Sequence, residues 1–130
     1  YEDDKPDSDK DLEEIKEEYA NTKETLQELF REAKNLVLFL SHNVPYDTSL
    51  DRIENPGSPV DGRHYGSLIV RELLEDVEPV LSLAGHIHEG YGRENVSETL
   101  AVNAGLESYV MLELGDGKIE NIEFSPELDD

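Results

Sequence analysis

The chain has no cysteine and no tryptophan, and only 11 of its 130 residues are lysine or arginine. Without cysteine there is neither a disulfide framework nor a thiolate metal site. No apolar run approaches the ~20 residues that a membrane-crossing helix needs, so no membrane partner is expected. The scarcity of basic side chains against 32 acidic ones leaves a formal net charge of -21. A cationic surface for binding nucleic-acid backbone is thereby disfavoured. The first residues are acidic rather than a basic-then-apolar leader, and a cytoplasmic location is the expectation that follows. Charge this far from zero keeps a chain soluble but strains the compact state by self-repulsion. At about 1 M salt the Debye length is only about 3 Å, so the repulsion is screened. A halophilic, archaeal cytoplasm is the favoured source, because the acids are spread along the whole length.

The length suits a single domain. Residues 1–10 are charged and read as a disordered terminus, leaving 11–130 as the folded part. Asp11 can cap a helix with Glu14 as its reciprocal partner. Leu12, Ile15, Tyr19, Leu26, Leu29 and Ala33 then recur at three- and four-residue steps, one apolar stripe suited to packing on a sheet. A coiled-coil dimer is the lesser alternative, because Thr22 breaks the stripe and the run is short.

Two short apolar runs, 35–40 and 79–83, read as buried parallel strands. Between them lies a long loop, 42–65, rich in Pro, Gly and Asp, of a kind that is usually functional. A helix follows it, capped by Ser67, with Leu68, Ile69, Leu73, Leu74 and Val77 on its buried side and Pro79 as its stop. Strands are expected over 99–103, 109–114 and 118–124, the last two joined by a turn at Gly115-Asp116-Gly117. The expected fold class is α/β: a mixed β-sheet with helices packed on it.

What chemistry there is lies at the ends of the two apolar runs. Ser41-His42-Asn43 follows the first, and Ala84-Gly85-His86-Ile87-His88-Glu89 follows the second. Side chains at the carboxyl ends of neighbouring strands project into the crevice where open α/β sheets bind ligands. His42, His86 and His88 are therefore candidate metal ligands. Gly85 would supply a sharp turn through positive φ, and alternation would let His86 and His88 converge while Ile87 faces the core. A lone buried histidine is more often a hydrogen-bonded core residue, but three at strand ends favour ligation. His64 and Arg63, in Asp61-Gly62-Arg63-His64-Tyr65-Gly66-Ser67, are candidates for a pocket rim, Arg63 because its planar fork suits a phosphate. A salt-bridged loop arginine is an equal alternative for Arg63. Glu89 could orient a histidine, although a solvated carboxylate is the better reading. Asn95-Val96-Ser97 fits a glycosylation acceptor, which means nothing without export.

Ser-His-Asn-Val-Pro-Tyr, Gly-Arg-His-Tyr-Gly-Ser, Gly-His-Ile-His-Glu and Val-Asn-Ala-Gly, taken together, resemble the second half of a calcineurin-like metallophosphoesterase, from about Leu36 to the end. The resemblance implies one half of a four-layer αββα sandwich. It implies a pair of divalent ions (manganese, zinc, nickel or iron), with His42 and His86 on one and His88 on the other. It also implies hydrolysis of phosphomonoesters or phosphodiesters by metal-bound hydroxide. It puts His64 and Arg63 on the substrate side, and Asn103 in the pocket, more as a brace of the metal loops than as a ligand. Asn43-Val44 replaces a proline pair common in relatives, and Ala104 a proline; neither change removes a ligand. Three earlier family motifs, Asp-x-His, Gly-Asp-x-x-Asp and Gly-Asn-His-Asp/Glu, do not occur.

The chain is therefore expected to be the C-terminal part of such an enzyme, weak or inactive by itself, with a phosphoester as the substrate. A homo-oligomer formed through an exposed apolar sheet face is a further expectation. The alternative function is a non-catalytic relic of a metal site serving as an interaction module. An acidic nucleic-acid mimic is a weaker third.

Overall fold

The computed structural model describes residues 12–128. The expected disordered terminus and the Asp11 cap lie outside them. The element order is α1 (Leu12–Glu32), β1 (Leu38–Asn43), α2 (Leu68–Val77), β2 (Leu81–Gly85), β3 (Gly92–Val96), β4 (Thr99–Asn103), β5 (Tyr109–Gly115) and β6 (Lys118–Ser125). The fold is α/β with a mixed sheet. Four strands lie in the order β1-β2-β4-β3, and β5 and β6 form a separate two-stranded sheet. β1 and β2 are parallel, as are β2 and β4, whereas β3 runs antiparallel to β4.

Pairing register sorts the side chains onto two faces. On one, Phe39, Ser82, Ala101 and Glu94 align across the strands. Ala84, Ala101 and Val96 there meet Val70 and Leu74 of α2, together with Val44, Leu50 and Ile87 from the loops, as one core. α2 is capped as its sequence indicates: Ser67 Oγ accepts the amide of Val70. Its fully buried side is Val70, Leu73 and Leu74, while Leu68, Ile69 and Val77 are half-buried. Glu78 ends the helix in the left-handed region, φ 43°, one residue before Pro79.

α1 forms where its stripe predicts, but no residue of it is buried. It docks on α2 through polar contacts. Tyr19 hydrogen-bonds Glu72, Lys23 pairs with Glu72 at 3.2 Å and Asp76 at 3.3 Å, and Gln27 donates to Asp76 at 3.1 Å. Burial would lower the Lys23 pKa, but hydrogen bonds to Glu72 and Asp76 and their negative charge hold it above the usual 10.5. At its end Phe30 stacks on Phe39 of β1, ring centroids 5.5 Å apart. No helix among the described residues is long and apolar enough to cross a membrane.

The strand β3 was not expected from sequence. Arg93, Glu94 and Asn95 give it little apolar signal, and it forms because a tight turn at Ser97-Glu98 returns the chain onto β4. The last hairpin turns at Asp116-Gly117, both with positive φ (48° and 83°), the geometry a two-residue hairpin turn prefers. Val110 and Leu112 are half-buried, but a register shift between Glu113 and Leu114 interrupts the alternation and leaves Leu114 exposed. Tyr91, stacked edge-on against Phe124, and the Arg93 guanidinium over the same ring, 5.9 Å from its centroid, tie the hairpin to β3.

Candidate metal centre

β1 and β2 run side by side and end together, Asn43 opposite Gly85. That arrangement brings His42, near the end of β1, against His86, the residue after β2. Nε2 of His42 lies 3.1 Å from Nδ1 of His86, with ring centroids 4.6 Å apart and planes tilted by 48°. Both residues are exposed. Such a separation suits a hydrogen bond in which one ring donates. It equally suits two ligands of one ion: nitrogens bound at about 2.1 Å lie about 3.0 Å apart at a right angle and about 3.4 Å apart at the tetrahedral angle. The donor pair therefore fits a divalent metal of the imidazole-preferring class.

His88 lies in a 3-10 turn, His88–Gly90, and is exposed. Among the described residues no group of three or more histidine, cysteine, aspartate or glutamate side chains gathers to hold a metal ion. Two of the three imidazoles meet, and the third does not complete a cluster with them.

The backbone at this site differs from the sequence expectation. Gly85 does not take positive φ; His86 does, at 69°. The Ile87 amide donates to the Gly85 carbonyl at 2.8 Å, which closes a three-residue turn centred on His86. The segment is therefore bent there rather than extended, although Ile87 is buried in the core at 5% exposure. Glu89 is exposed.

Asn103, at the end of β4, is fully buried. Its amide nitrogen donates to the carbonyls of Leu50 (2.9 Å) and Ile87 (2.7 Å), and its Oδ1 accepts the Gly105 amide (2.8 Å). All three of these bonds go to loop backbone, so the side chain braces loops.

The long loop is organised by a residue that sequence reasoning passed over. Asp51 is fully buried. Its carboxylate accepts the amides of Asp47, Thr48 and Gly66 at 2.9–3.0 Å and contacts His64 Nδ1 at 2.5 Å. The other ring nitrogen of His64 faces Asp47 at 3.6 Å, and Tyr46 meets the ring edge-on. Arg71 of α2 holds the same turn by donating to the carbonyls of Tyr46 and Asp47. Asn43, next to His42, fastens this loop to the end of β1 by donating from its amide nitrogen to the Tyr65 carbonyl at 2.9 Å. Arg63 is exposed. Nothing local distinguished Asp51 from its many acidic neighbours; its one signal was its place in a loop too long to be unstructured.

No protein-family model and no curated protein matches the sequence. A solved structure superposes with a TM-score of 0.62 at 25% identity, covering 81% of this chain and 39% of that one. The crystal structure of TT1561 of Thermus thermophilus is similar at a TM-score of 0.43 and 24% identity, over 75% of this chain and 37% of that one. The chain spans less than half the length of either structure.

Proposed function

We propose that this chain carries part of the divalent-metal centre of a phosphoesterase that hydrolyses phosphomonoesters or phosphodiesters. The observation that carries the reading is the 3.1 Å approach of His42 Nε2 to His86 Nδ1 at the adjoining ends of two parallel strands. Open α/β sheets bind their ligands at such strand ends, and the surrounding motifs resemble those of calcineurin-like metallophosphoesterases. In this reading His42 and His86 hold one ion and His88 contributes to a second. A bound ion would supply Lewis acidity toward a phosphate oxygen and an activated water.

The chain's own groups do the rest. Asn103 fixes the loops behind the histidines. His64, oriented by Asp51, and the exposed Arg63 stand on the loop fastened beside His42, where they can meet substrate oxygens. Two imidazoles on one ion and one on the other hold metal less firmly than a site with a bridging carboxylate, and the acidic surface repels an anionic substrate, so turnover by this chain alone is expected to be low. The test is hydrolysis of p-nitrophenyl phosphate with manganese, nickel or zinc in high salt, for the native chain and His86→Ala. A rate lost in the variant supports the reading, and equal rates dispose of it.

A second reading is a metal-site relic acting as an interaction module. The absence of any three-residue metal-holding cluster among the described residues favours it. In either case a partner is expected at the exposed apolar groups of the edge strand β1.

A further inference from the structure

We propose that Asn103 is a positioning residue for the His42–His86 pair, acting through the Ile87 carbonyl on a strained turn at His86. The inference rests on the metal-centre reading and adds to it the device that sets the ligand geometry. His86 is a non-glycine residue at φ 69°, spanned by the 2.8 Å bond from Ile87 N to Gly85 O. A γ-turn of this positive-φ hand is rare and strained, and such strain persists only where the surroundings over-determine it. Left to itself, the chain would relax to negative φ and swing the His86 ring away from His42.

What holds the turn lies on its far side. The Ile87 side chain is locked in the core with Val44, Leu50 and Ala84. The Ile87 carbonyl accepts Asn103 Nδ2 at 2.7 Å and the Gly90 amide at 3.0 Å. Asn103 reaches it because β4 pairs with β2 in parallel, Asn103 opposite Ala84, so its side chain stands at the same strand end as the turn. Its amide nitrogen also donates to Leu50 of the loop that leaves β1. One buried amide thus ties the loop after His42 to the loop after His86. Outer residues that orient metal ligands typically change affinity by about 10–100-fold when removed.

The test compares Asn103→Asp, Asn103→Ser and Asn103→Leu with Leu73→Ala, a cavity mutation in α2 away from the site. Circular dichroism selects conditions in which each chain is folded; the serine variant, which keeps one donor, serves if leucine abolishes folding. NMR then reads the His86 amide–Hα coupling and the ring-to-ring contact between His42 and His86. Calorimetry reads zinc affinity. The Asn103 variants are expected to lose the positive-φ signature and the ring contact, and to bind zinc at least tenfold more weakly. Leu73→Ala is expected to keep both while losing stability. The proposal is overturned if folded Asn103 variants retain the His86 signature and the ring contact, or if Leu73→Ala removes them equally. Should the native chain bind no zinc, the metal-centre reading fails, and the NMR comparison still decides the role of Asn103.

Discussion

The carboxylate of Asp51, wholly removed from solvent, contacts Nδ1 of His64 at 2.5 Å. A buried carboxylate accepting three further amides is satisfied only while the loop around it keeps its shape. Asp51→Ala would leave those amides without an acceptor, and breaking such a buried cluster typically costs about 3 kcal/mol or more. His64→Ala removes one contact from a partly exposed ring and is expected to cost about 1 kcal/mol. Urea unfolding of the two variants checks the ordering. Comparable losses would mean that the imidazole matters to the loop as much as the carboxylate does.

The paired histidines predict a metal-dependent gain in stability. A ligand that binds only the folded chain at 100 times its Kd adds about 2.7 kcal/mol, which is several degrees in Tm. Thermal melts with zinc should therefore rise for the native chain and return to the metal-free value with a chelator. In His86→Ala the rise should vanish. A shift of equal size in the variant would place the zinc elsewhere.

Glycines near the site separate what sequence could reveal from what it could not. From sequence, Gly85 is the residue that turns the chain, yet a Cβ at Gly85 would meet nothing within 4 Å and its φ is ordinary. Gly85→Ala is expected to change stability by less than about 0.5 kcal/mol. A Cβ at Gly90 would lie 1.9 Å from the Leu50 carbonyl oxygen and 2.9 Å from Asn103 Nδ2. Gly90→Ala should cost about 3 kcal/mol or prevent folding. Denaturant midpoints for the two variants test the contrast, and similar midpoints would refute it.

The same division runs through the fold. β1, β2, β4 and the hairpin were legible because their apolar periods and the Asp-Gly turn are local signals. The side of α2 that faces the core was legible only approximately, since Leu68 and Ile69 look as apolar as Val70. β3 was not legible, because pairing with β4 rather than its own composition makes it a strand. At the site, the strand-end histidines were recognisable as a group. Their actual relation, two together and one apart, depends on a left-handed residue at His86 that nothing in Gly-His-Ile-His announces.

Leu40 is 70% exposed and Leu38 41% exposed, both on β1, the edge of the four-stranded sheet. An edge strand with exposed apolar side chains is a template for pairing with another chain. On the sheet face that β1 shares with β2 and β4, Leu81 and Val102 are buried while Leu83 and Leu100 are only half-buried, so association should spread from this edge onto that face. Sedimentation is expected to show concentration-dependent self-association that Leu40→Lys abolishes with little change in stability. A native chain that stays monomeric across a wide concentration range would rule this out.

Salt pulls on this molecule in two directions. The contacts that hold α1 to α2 include Lys23–Glu72 and Lys23–Asp76, and partly exposed pairs of this kind contribute at most about 1 kcal/mol and weaken with screening. Against them stands the self-repulsion of a chain with formal net charge -21. Raising salt from about 0.1 M to 1 M shortens the Debye length from about 10 Å to about 3 Å, which removes most of that repulsion between separated carboxylates. Because acids outnumber bases 32 to 11, relief of repulsion should outweigh the loss of a few pairs. Thermal melts in potassium chloride are thus expected to show Tm rising by several degrees over that range. A flat or falling Tm would mean that the paired contacts on α1, rather than the unpaired surface charge, dominate the electrostatics of the folded chain.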